Sequence, residues 1–183
     1  MKKIVLYIVS LLTITTLNSQ ATNLAIDISN DVLSVEAGSK NFSQDNKFSV
    51  AMLHADDVHL YSLKGLVTGV LEQDKNLEAA LGGKAYFIRF FGENIQGLGL
   101  GGELNYKIPM NEKFQLHGSV YYAPSPTLSD DLDYLTDLTI TASYQLLING
   151  TVYINYRNIQ VNQALAGDLK IDNGFNLGLK FLF

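Results

Sequence analysis

The chain of 183 residues contains no cysteine, so neither disulfides nor thiolate metal centres are open to it. It has no surplus of positive charge, with 13 basic against 18 acidic residues. A nucleic-acid partner needs a cationic footprint, and none is present. After the first residues there is no long apolar run, which excludes a spanning helix of about twenty residues. No segment sustains a helical period, and no linker, low-complexity tract or long repeat divides the chain. What is there is a chain of apolar residues interleaved with Ser, Thr, Asn and Gly.

The single apolar run stands at the start. Met1-Lys2-Lys3 is a short basic region, Ile4 to Ile14 is apolar, and Ser19 and Ala21 take the small-residue positions of a signal-peptidase site. The expectation is a cleaved signal peptide over 1–21 and one mature domain over 22–183. Its removal takes away Lys2 and Lys3, leaving 11 basic residues against 18 acidic ones.

Period two recurs through that domain. In "GLGLGGELNYK" Leu98, Leu100, Leu104 and Tyr106 share one parity, and Gly99, Gly101, Glu103 and Lys107 share the other. "DLTITASYQLL" sets Leu138, Ile140, Ala142, Tyr144 and Leu146 against Thr139, Thr141, Ser143 and Gln145. Successive strand side chains point to opposite faces, so each run has one apolar and one polar face. Strands are expected near 32–38, 47–55, 58–71, 76–90, 96–107, 113–122, 134–146, 151–161 and 172–183, with "NLAIDIS" at 23–29 as a tenth. Turn residues separate them at 43–46, 54–57, 72–76, 92–94, 109–113, 148–150 and 166–174, and the longest interruption is 123–137.

Alternation also suits a soluble sandwich. Three features favour a closed antiparallel transmembrane β-barrel, apolar outside and polar within. Many strands reach the 9–11 residues that crossing an outer membrane takes. Charges sit mid-strand on the polar faces. Aromatic residues gather near strand ends, as an interfacial girdle does: Phe87, Phe90, Phe91, Tyr121, Tyr122, Tyr134, Phe181 and Phe183. A single-chain bacterial barrel has an even number of strands, which makes the count about ten, with eight as the alternative. Both termini, 72–76, 109–113 and 148–150 are then expected on the periplasmic side. The stretches 54–57, 92–94, 123–133 and 162–171 are expected outside the cell.

The last residues, "GFNLGLKFLF", place Phe175, Leu177, Leu179, Phe181 and Phe183 on one parity, facing lipid, and Asn176, Gly178 and Lys180 on the other. This closing strand with its terminal aromatic resembles the assembly signal of bacterial outer-membrane proteins, which implies the barrel-assembly machinery as a partner during biogenesis. "LGGKAYFI", "LGLGGELNYKIP", "FQLHGSVYYAPS", "LSDDLDYL" and "VYINYRNI", over roughly 76–160, together resemble the YfaZ family of outer-membrane proteins. The resemblance implies a porin-like or structural barrel and brings no catalytic residues with it.

Few motifs carry chemistry. Gly97, Gly99 and Gly102 fit a dinucleotide pattern, but that turn must open a helix and here a strand continues. Strand glycines of this kind let bulky lumen side chains approach. "HADDVH" sets His54 and His59 around Asp56 and Asp57 at a rim turn, the one lead for a hydrolase. His117 and Ser119 are two residues apart on one strand face, too far for a nucleophile pair. Asp130, Asp131, Asp133 and Asp137 form an acidic loop without the order of a calcium motif. Lys64, Lys84, Glu103, Lys107, Arg157 and Lys180 are expected to form a lumen charge network, since charges inside a barrel must pair or meet water. The cations outnumber Glu103 and would bias a small pore towards anions.

The expected protein is therefore a monomeric outer-membrane barrel in contact with lipid and lipopolysaccharide. It has a narrow lumen filled by side chains, no cofactor and no catalytic activity, a rim hydrolase at 54–59 being the alternative.

Overall fold

The computed structural model describes residues 21–39, 46–56, 58–71, 74–90, 93–129, 132–163 and 167–183. The expected signal peptide, apart from Ala21, lies outside the described residues. Phe91, Asp57, Asp130 and Asp131 lie outside them as well.

Ten antiparallel strands among the described residues close into one barrel. They are β1 (Ala21–Ile28), β2 (Val32–Ser39), β3 (Asn46–Ala55), β4 (Val58–Leu71), β5 (Asp74–Phe90), β6 (Glu93–Lys107), β7 (Phe114–Pro124), β8 (Leu132–Leu147), β9 (Gly150–Gln163) and β10 (Gly167–Leu182). Each pairs with its neighbours in sequence, and β1 closes on β10 from Asn23↔Leu182 to Ile28↔Leu177. The strand hardest to see in the sequence, near 23–29, is thus the one that closes the barrel. A sheet closed on itself has removed the free edges that would recruit other chains.

Ala21, the first described residue, and the C-terminal Phe183 share one rim with Ser39, Asn46, Leu71, Asp74, Lys107, Phe114, Leu147 and Gly150, here called the terminal rim. Toward the opposite rim the strands run further than their composition suggests. Of the polar stretch 166–174, Gly167 to Gly174 is strand rather than turn, because it pairs with Arg157 to Gln163 across a bulge at Lys170/Asp172. Within 162–171, Asn162 and Gln163 pair with Asp168 and Gly167, so the described residues there are ladder as well. Hydrogen bonding to a neighbouring strand outweighs the turn preference of Asp, Asn and Gly there. Residues after β7 make a single 3-10 turn, Ser125–Thr127. Ser129 then bonds to β6, its backbone N–H donating to the Gln96 carbonyl and its Oγ accepting from the Gln96 N–H, both at 2.8 Å.

Parity decides which side chains face out. Ile26, Val50, Leu63, Leu81, Leu100, Leu104, Val120, Ile140, Ile154, Phe175 and Leu177 are all exposed, so an apolar wall runs right round the barrel. Phe87, Tyr122, Phe181 and Phe183 belong to it, and Tyr134 stacks on Tyr122 at 6.1 Å between ring centroids. Two members of the expected aromatic girdle are not on it. Tyr121 is only 2% exposed and points inward, and Phe90 packs against the buried apolar residues. Both share the parity of the lumen, which outranks nearness to a strand end.

Candidate functional site

The inward face is identified by bonds between strands that are not neighbours. Lys64 of β4 reaches Glu103 of β6 at 2.7 Å and Glu36 of β2 at 3.1 Å. Lys84 of β5 reaches Asp137 of β8 at 2.6 Å. Arg157 of β9 directs Nη2 at both carboxylate oxygens of Asp27 on β1, at 2.9 and 3.0 Å, while its Nη1 makes a longer contact to Asp172 at 3.4 Å. The guanidinium thus divides its charge-assisted hydrogen bonds between two acids.

Each of three carboxylates in this network also accepts a tyrosine hydroxyl. Tyr86 donates to Asp137 at 3.1 Å, Tyr121 to Glu103 at 2.9 Å and Tyr153 to Asp27 at 3.0 Å. The same unit therefore occurs three times, with one cation, one acid and one tyrosine. Glycine makes room for each ring. A Cβ at Gly99 would lie 3.1 Å from Tyr86, one at Gly101 would lie 2.7 Å from Tyr121, and one at Gly178 would lie 2.2 Å from Tyr153. These are the close approaches expected of glycines on a strand face. "GLGLGG" sits wholly inside β6.

Nearer the terminal rim, Lys47 is paired with Glu78, which also accepts from Asn105. His117 Nδ1 lies 2.8 Å from Asn105 Oδ1, and Ser119 is buried. Toward the opposite rim the inward side chains turn apolar. Leu53, Leu60, Ile88 and Ile95 follow one another across four strands by direct pairing, each at most 3% exposed. Leu135, Val161, Ile159 and Ile171 complete this layer. A wholly polar interior is thus not what the structure has: one half is charged and the other apolar.

Of the six charges expected inside, Lys64, Lys84, Glu103 and Arg157 carry the ion pairs above. Lys180 is half-buried on the same face without an ion pair among the described residues, and Lys107 is exposed at the terminal rim. Glu103 is not the main acid. Asp27, Glu36, Glu78, Asp137 and Asp172 stand with it, which removes the anion bias that the cations alone implied. Their signal was present in the sequence as acids on the polar parity of a strand, such as Asp27 in "NLAIDIS". Asp137 belongs to this network and not to a cation-binding loop, while Asp133 is exposed.

The rim motif is on the outward wall. His54 and His59 face each other across the β3–β4 hairpin, rings stacked with centroids 4.5 Å apart and Nδ1 atoms 3.0 Å apart. Asp56 is exposed at the turn with φ 35°. The histidines thus bond to each other, and among the described residues no group of three or more His, Cys, Asp or Glu is placed to hold a metal.

A family model described as "YfaZ precursor" matches residues 1–183. The chain belongs to the YfaZ family. No curated protein matches it. Similar solved structures are a "KdgM porin" at 9% identity and a "KdgM porin in complex with disordered oligogalacturonate" at 14%. Each has a TM-score of 0.47 and covers 88% of this chain and 98% of the other.

Proposed function

We propose that this YfaZ-family protein is a monomeric outer-membrane barrel of porin-like or structural, surface-interaction type, with a narrow lumen filled by side chains and no catalytic activity. The observation that carries the membrane reading is the apolar wall. Exposed Leu, Ile, Val and Phe encircle a closed barrel, an arrangement that is unstable in water and matched to hydrocarbon. Strand parity supports an orientation with both termini periplasmic and the opposite rim outside the cell. Phe175, Leu177, Leu179, Phe181 and Phe183, all on the outward wall, support a role in recognition by the assembly machinery.

The narrow lumen is inferred from the apolar layer of Leu53, Leu60, Ile88 and Leu135 above the ion pairs. A small barrel has an interior just wide enough for side chains. Conductance in planar bilayers tests this. The native protein is expected to pass little current, and Leu60→Ser with Ile88→Ser to pass clearly more. Large stepwise conductance from the native protein would overturn the narrow lumen. Protein that fails to insert into vesicles, or shows no heat-dependent shift in gel mobility, would overturn the barrel in a membrane. Peptide or lipid hydrolysis lost in His54→Ala would replace the non-enzymatic reading with the rim hydrolase.

A further inference from the structure

Three nitrogen-bearing side chains meet on the outward wall where its apolar belt ends. One row runs across the sheet by direct pairing: Leu33↔His54, His54↔His59, His59↔Arg89 and Arg89↔Asn94. Residues paired in this way have Cβ atoms about 4.5–5.5 Å apart, so His54, His59 and Arg89 form one contiguous patch. Two residues nearer the terminal rim, the same strands present Met52, Tyr61 and Phe87, the last two 47% and 42% exposed. In a membrane that belt lies in hydrocarbon, and the row stands at headgroup level. An arginine on a barrel wall costs about 2–4 kcal/mol at the bilayer midplane and about 0–1 near the interface. Arg89 sits where its charge is tolerated.

The patch is partly organised before any ligand arrives. The stacked imidazoles share a contact through Nδ1. Among the described residues neither Nε2 has a partner, and the exposed Arg89 guanidinium has none either. A first-row metal is a poor fit, because two imidazoles supply too few ligands and Arg89 repels a cation. With Nδ1 shared between the rings, the ring that accepts there keeps an Nε2–H to donate beside the Arg89 guanidinium. An anion with several acceptor oxygens fits these donors and the arginine charge, and phosphate is the anion that occurs at headgroup level.

We infer that His54, His59 and Arg89 bind the phosphate of an outer-membrane lipid, the lipid A headgroup of lipopolysaccharide, with acyl chains running down past Tyr61, Leu63 and Phe87. This rests on the membrane reading and orientation proposed above. The site explains why the two histidines of a hairpin turn face lipid rather than the lumen.

The test is native mass spectrometry of the full chain refolded in detergent micelles and offered bisphosphorylated or dephosphorylated lipid A. The native protein is expected to retain the bisphosphorylated form. The triple variant His54→Gln, His59→Gln, Arg89→Gln should retain it at least roughly tenfold less well, the scale of losing charge-assisted hydrogen bonds. Lys113→Gln, exposed at the terminal rim, should bind as the native protein does. Heat-dependent gel mobility checks that each variant is folded. Equal retention by the folded triple variant overturns the proposal, as does equal retention of dephosphorylated lipid. Copper or nickel binding lost in His54→Gln, with lipid retention unchanged, overturns it in favour of a metal pair. Native protein that does not insert into vesicles defeats the membrane reading and this site together. Native protein that inserts but ignores the phosphates defeats this site alone.

Discussion

Toward the terminal rim most charged inward side chains of this barrel are ions in contact, with Leu66 and Ala80 buried among them. Toward the opposite rim the inward side chains are Leu, Ile and Val with almost no exposure. The two halves are built on the same strands and held by different forces. A buried ion pair gains Coulomb energy but must offset the desolvation of both charges, so its net worth is small and its disruption expensive. A buried apolar layer gains from every methylene and fails gradually as volume is removed. The contrast teaches that inward parity in a small barrel does not dictate polar chemistry. Apolar side chains and paired ions fill the space equally well, on different energetic terms.

Breaking the charged half should show the largest effect. Arg157→Leu strands Asp27 and Asp172 without their cation, and should cost about 3–5 kcal/mol. The measurement is the urea midpoint of the barrel folded in lipid vesicles, and a loss below about 1 kcal/mol would show the network to be dispensable. In the apolar half, Leu135→Ala, at a site with no exposure, should cost about 2–4 kcal/mol in the same assay. Leu138→Ala on the outward wall should cost clearly less, since lipid can fill the space it leaves. Equal losses at the two sites would mean that the apolar layer is not tightly packed.

The comparison sharpens with a double-mutant cycle on Lys84 and Asp137. Either Lys84→Met or Asp137→Leu alone leaves a buried charge unpaired. The two together should recover much of the loss, with a coupling of about 1–3 kcal/mol. Additive losses would deny that the pair acts as a unit. The smallest effects are expected at the tyrosines. Gly178→Ala drives a Cβ into the Tyr153 ring and should cost about 1–3 kcal/mol. Tyr153→Phe removes only the hydroxyl bond to Asp27, and should cost about 0.5–1.5 kcal/mol. Should Tyr153→Phe exceed Gly178→Ala, the hydroxyl and not the ring placement would be the feature that matters.

Much of the fold was legible because period two is a local signal. Leu98, Leu100 and Leu104 announce their face within a few residues, as do Phe175, Leu177 and Leu179. The ends of the strands were less legible. At 167–174 the residues favour a turn, and only the facing strand β9 makes them extended. The candidate site was half legible. Parity places Lys64, Lys84, Glu103 and Arg157 inside, but nothing local marks Asp27, Glu36 and Asp172 as partners, and Asp137 stands at the end of an acidic run. An acid near a strand end looks the same in sequence whether it meets solvent or a cation. Tyr121 likewise read as part of an interfacial girdle, since nothing local tells that Gly101 has cleared a bed for its ring.

By itself the sequence determined the alternating strands, the apolar wall and the outward face of the closing strand, because neighbouring residues along an extended chain set those directly. Only the tertiary structure decided which acid meets which base, that the interior divides into a charged and an apolar half, and that His54, His59 and Arg89 form one row. Those contacts join residues as far apart as Asp27 and Arg157. Their partners are chosen when β1 pairs with β10 at one register, and a shift of a single residue there would turn every inward side chain of β1 to the outer wall.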